Sequence, residues 1–98
     1  MHGGSEIVMI CWKHMTEGSV EEFIRTTNGL ELGRSLQKDR DEHLGGYSEI
    51  DRGFDKDKES HFVEVKFCME VEDMENVQDW CAAQGFEIVK TIFSGRAR

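Results

Sequence analysis

The chain of 98 residues has no proline, and no run rich in proline or serine divides it, so nothing marks a linker between two domains. Basic charge is scarce. Twelve Lys and Arg stand against 20 Asp and Glu, giving a net charge of -8 and a pI of about 4.9. Grip on nucleic-acid phosphates needs a basic stripe, and the one basic cluster is Arg96 and Arg98 at the end of the chain. A nucleic-acid partner is therefore excluded from the reading. There is no apolar run long enough for a membrane span and no charged segment leading into an apolar one. The expectation is a cytoplasmic protein without a membrane partner. Cysteine is limited to Cys11, Cys68 and Cys81, with no CxxC; an odd number in apolar segments reads as reduced thiols. Metal-ligand spacing is missing too. Asp39, Asp41, Glu42 and His43 form a solvated charge run, and Asp51, Asp55, Asp57 and Glu59 match a calcium loop in composition only. No metal and no catalytic signature is read from these motifs.

Most legible is the stretch 60–71, SHFVEVKFCMEV. It alternates with a period of two, placing His61, Val63, Val65, Phe67, Met69 and Val71 on one side and Phe62, Glu64, Lys66, Cys68 and Glu70 on the other. That period, with its β-branched and aromatic content, predicts a strand with one apolar face. The stretch 6–14, EIVMICWKH, is a short apolar run that predicts a central strand. A helix begins at Thr16 or Ser19, where Ser19 and Glu22 have capping-box spacing. Asn28-Gly29 stops or kinks it, and Leu30, Leu32 and Leu36 resume it to about Lys38. After Gly45-Gly46, the stretch 47–54 is a weaker strand, joined to 60–71 through the charged turn 55–59. Asp73 caps a further helix, MENVQDWCAAQ, with Gly85 at its end and Trp80 and Cys81 in its core stripe; FEIVKTIF is a last strand.

The order β-α-β-β-α-β predicts an α+β fold: a ferredoxin-like plait with a four-stranded antiparallel sheet and two helices on one face. Right-handed crossovers put the first and third strands in the centre. One domain covers 6–94, between a flexible lead-in at 1–5 and a tail at 95–98. With 38% hydrophobic residues and a mean hydropathy of -0.56, the core is lean. A homodimer would add burial, since a monomer would leave Phe62 and Trp12 of the second sheet face in water.

Three stretches carry a family likeness: EIVMICWKHMTEGSVEEF, LGGYSEIDRGFDKDKESHFVEVKF and VEDMENVQDWCA. Their pattern of elements resembles the dimeric α+β barrel superfamily, which includes the antibiotic-biosynthesis monooxygenases (ABM-like proteins) and the stress-responsive A/B barrel proteins. The resemblance implies a homodimer whose two sheets enclose a cavity. It also implies a range of activities, among them cofactor-free oxygenation of aromatic molecules and polyketide cyclisation. The Pro-x-His of the A/B barrel proteins and the Asn–Trp–His set of the haem-degrading members are absent here, so no cofactor is assigned.

In such a cavity, His14 would serve as a general base, and Glu64 with Lys66, two apart on one strand face, would be a buried pair with perturbed pKa values. Trp12, Phe62 and Tyr47 would shape the wall. The plainer alternatives stand beside these: a strand-end histidine half in water, a surface ion pair and a half-exposed tyrosine. Phase in the hairpin is open, with either Tyr47, Glu49 and Asp51 or Ser48, Ile50 and Arg52 on the second face. Two functions follow. One is a homodimeric barrel that binds a small aromatic or polyketide-like molecule, as a cofactor-free monooxygenase or cyclase. The other is a non-catalytic acidic regulator or inhibitor that binds a protein partner.

Overall fold

The structure is a computed structural model and describes residues 6–37 and 46–94. Strand β1 spans Glu6–Met15, β2 Tyr47–Asp55, β3 Ser60–Glu70 and β4 Glu87–Ser94. All pairings are antiparallel, in the order β2-β3-β1-β4. The two most apolar strands take the central places, as their composition predicts. With the helices, this is an α+β architecture compatible with a ferredoxin-like fold. The expected lead-in at 1–5, the charge run at 38–43 and the tail at 95–98 lie outside the described residues.

The sheet is buried on its helix side by alternation. Ile7, Met9 and Cys11 of β1 and Val63, Val65, Phe67 and Met69 of β3 all point there and are buried. Against them pack Val20, Phe23 and Ile24 from the first helix, and Val77, Trp80 and Cys81 from the last. Aromatic rings bridge the layers: Phe67 meets Trp80 edge-on at 5.5 Å, and Trp80 lies 4.9 Å from Phe86.

Two helices, and not one kinked helix, follow β1. Helix α1 is Glu17–Thr26 and α2 is Gly29–Ser35. Thr16 is the cap of α1, its Oγ1 accepting from the Ser19 N–H at 3.1 Å, so Ser19 lies inside the first turn and not before it. Thr27 is extended and Asn28 caps α2, its Oδ1 accepting from the Glu31 N–H at 3.0 Å. A competent N-cap at Asn28 makes the break a fresh start. Helix α3, Met74–Gln84, is entered through a 3-10 turn at Val71–Asp73, and Asp73 makes no side-chain capping bond to it, contrary to expectation. Gly85 closes it in the left-handed conformation, φ 79°, with the Phe86 N–H donating to the Cys81 carbonyl.

Phase in β2 is settled by burial. Ser48 is 2% exposed on the helix side, donating its hydroxyl to the Gly29 carbonyl. Ile50 packs on the core and Arg52 pairs with Glu21 of α1. Tyr47, Glu49 and Asp51 are therefore on the opposite, helix-free face.

Candidate functional site: the helix-free sheet face

Register places the side chains of this face in rows across β1, β3 and β2. One row is His14, Phe62 and Gly53; the next is Trp12, Glu64 and Asp51; then Ile10, Lys66 and Glu49; then Val8, Cys68 and Tyr47. Strand β4 extends the rows with Glu87 beside Trp12, Lys90 beside Ile10 and Ile92 beside Val8, across a shift in register after Ile10.

The structure gathers four expected site residues at one end. Trp12 stacks on Phe62 with centroids 4.0 Å apart and planes at 21°. His14 meets the edge of both rings, 5.7 Å from Phe62 and 6.2 Å from Trp12. The Trp12 indole Nε1–H donates to Glu64 Oε1 at 2.9 Å. Phe62 is 7% exposed in the single chain, which corrects the expectation that a monomer leaves it in water. Trp12 covers one side of its ring and the bare Cα of Gly53 admits the other.

Lys66 and Tyr47 stand apart from this group. Lys66 pairs with Glu49 across the β2–β3 ladder at 3.3 Å, and Glu64 is taken by Trp12, so the expected Glu64–Lys66 pair does not form. Direct cross-strand neighbours stand about 5 Å apart, closer than residues two apart along one strand. Tyr47 lies six residues of β3 away from Phe62 in register, roughly 20 Å along the strand. There it borders a cleft of about 250 Å³ with Glu6, Val8, Cys68 and Glu70. Its hydroxyl is pushed up in pKa, first by hydrogen bonding and charge at the Cys68 thiol, then by burial and by the charges of Glu49 and Glu6.

Asp55, read from sequence as a turn charge, is the partner of His14. His14 Nε2 lies 2.9 Å from Asp55 Oδ2, with both side chains mostly covered. The hydrogen bond from His14 holds the Asp55 carboxyl below its ordinary range, against burial, and the backbone N–H groups of Lys58 and Asp57 add to it through Oδ1. An ionised carboxylate only accepts, so the imidazole Nε2–H donates and Nδ1 carries the lone pair of the neutral ring. One side chain thus closes the hairpin turn and sets the tautomer of His14. The only signal in the sequence is register: Asp55 ends β2 as His14 nears the end of β1, with β3 between them.

A depressed carboxyl stabilises the fold above the ordinary carboxylate pKa, and that contribution fades as pH falls through the folded value. Asp55→Asn should therefore lower the urea midpoint at pH 7, and the gap to the parent should narrow by pH 3. A gap that stays constant on acidification would show that the ionised His14–Asp55 bond contributes nothing.

Among the described residues, no three His, Cys, Asp or Glu side chains are grouped to hold a metal, and no helix is long and apolar enough to cross a membrane. Comparison with protein-family models, curated proteins and solved structures gives no match for this chain.

Proposed function

We propose that the chain pairs with a second copy across the helix-free sheet face and binds a compact aromatic or polyketide-like molecule in the space between. The observation that carries this reading is the His14–Asp55 pair set against the Trp12–Phe62 stack, on a face that no helix among the described residues covers. Trp12 offers the outer side of a stack whose inner ring is already fixed. His14, with Nε2 committed to Asp55, has Nδ1 to take a proton from an acidic C–H or O–H of a bound molecule. Such proton removal is the opening step of both cofactor-free oxygenation and cyclisation. Val8 and Ile10 are half-buried and Ile92 is 41% exposed on the same face, apolar surface that a second copy would bury.

Light scattering during size exclusion tests the pairing: twice the chain mass of 11.3 kDa is expected. A phenol and naphthol fragment set, followed by Trp12 fluorescence and thermal shift, tests the ligand class. Binding should fall at least tenfold in Trp12→Ala, while His14→Gln keeps binding and loses proton transfer. A monomer that takes none of the fragments overturns the reading and leaves the acidic, non-catalytic partner-binding protein in its place.

A further inference from the structure

Cys11 and Cys81 are 70 positions apart in sequence, one on the central strand β1 and the other on α3. Strand and helix turn them toward each other, and their sulfurs are 3.3 Å apart. Their residues are 0% and 1% exposed, deep in the core and outside the candidate site. Cys68 sits on the opposite face of the sheet, in the row of Val8 and Tyr47, and cannot reach them. A buried cysteine is ordinarily a small apolar filler. Two that bring sulfur against sulfur across a strand–helix interface have a further chemistry.

We propose that Cys11 and Cys81 form a site of reversible oxidation, a buried dithiol that a peroxide closes into a disulfide joining β1 to α3. A disulfide needs sulfurs about 2.05 Å apart, so the pair must approach by about 1.3 Å. Hydrogen peroxide is the named oxidant. The Cys81 thiol loses its proton as its sulfur attacks one peroxide oxygen, the O–O bond breaks, and the departing hydroxide takes that proton to leave as water. Cys81 is then a sulfenic acid. The Cys11 sulfur attacks the Cys81 sulfur, the S–O bond breaks, and a second water leaves with the Cys11 proton. Two thiols and one peroxide become one disulfide and two waters. Cys11 suits the second step. The 3.3 Å contact already holds its sulfur against that of Cys81, and its proton leaves as the S–S bond forms. Cys11 also directly precedes Trp12, so the cross-link fixes the strand that carries Trp12 and His14.

The test uses the full chain and its Cys68→Ser variant, each treated with hydrogen peroxide and then alkylated. Before alkylation the intact mass of Cys68→Ser should fall by about 2 Da, for the two hydrogens lost on forming one disulfide, and peptide mapping after alkylation should join the Cys11 and Cys81 peptides in both proteins. The oxidised form should melt roughly 10 °C or more above the reduced form, because the link closes a long loop. Dithiothreitol should reverse both changes. Cys81→Ser should show no such link. No mass loss in Cys68→Ser, a link through Cys68, or a melting point that falls on oxidation would each overturn the proposal and leave the pair as core packing.

Discussion

Gly33→Ala is expected to lower the melting temperature by roughly 10–20 °C, equivalent to about 2–3 kcal/mol in a domain this small. In an open helix the same change would stabilise by about 1 kcal/mol, because glycine is the poorer helix former. Here the sign reverses. Gly29 and Gly33 lie four apart on one side of α2, which rests directly on the start of β2. A Cβ on Gly33 would stand 2.4 Å from the Tyr47 carbonyl carbon and 2.5 Å from the Ser48 nitrogen. These are backbone atoms of a paired strand and no rotamer moves them aside. The helix must lift, which strains the bond from the Ser48 hydroxyl to the Gly29 carbonyl and loosens Leu32, Leu36 and Ile50 on the core. Gly18→Ala is the control, since nothing lies within 4 Å of its Cβ position in the first turn of α1. Urea unfolding of the three proteins decides it. A Gly33→Ala protein as stable as the Gly18→Ala protein would mean that α2 does not pack on β2 as closely as described.

Strand β3 was legible because its period and its burial agree, and β1 because a short, nearly continuous apolar run reads as a central strand. Their central placement followed from composition and crossover handedness, and the C-terminal end of α3 from Gly85. Strand β2 was read as a strand, and only its phase resisted, because it carries polar residues on both faces. Ser48 faces the core and is satisfied by a carbonyl of α2, and Arg52 faces the helices and is held by Glu21. Neither partner is visible in a period-two pattern. The site was half legible for a similar reason. Trp12, His14, Phe62 and Glu64 could be assigned to one face by counting along strands. Asp55 could not, since its link to His14 spans 41 positions and rests on the register of three strands. The Cys11–Cys81 contact spans strand and helix, with two different periods, and no single pattern brings it out.

Gly53→Ala should cost about 2–4 kcal/mol, nearly all of it through one side chain, Phe62. The Cβ position is 2.3 Å from Phe62 Cζ and 2.8 Å from both flanking ring carbons. Unlike the atoms opposing Gly33, these belong to a side chain that can swing. The ring would leave its place over the glycine, where it is 7% exposed, and would lose the stack with Trp12. Burial of such a ring contributes about 1.5–3 kcal/mol and the stack about 0.5–1.5 kcal/mol beyond it. A double-mutant cycle isolates the cause. In a Phe62→Ala background the same Gly53→Ala change should be neutral or stabilising, because alanine suits a strand better than glycine and the clashing ring is gone. The near-ultraviolet circular dichroism of Trp12 should collapse in Gly53→Ala and in Phe62→Ala alike. Equal costs of Gly53→Ala in both backgrounds would show that Phe62 does not sit over Gly53. The consequence reaches the proposed site by geometry. His14 rests edge-on against Phe62, and its partner Asp55 lies two residues beyond Gly53 on the same strand. A displaced Phe62 removes the support of His14 on one side and leaves it to Asp55 and the edge of Trp12. Gly53→Ala should therefore weaken binding of the phenol fragments even in protein that remains folded.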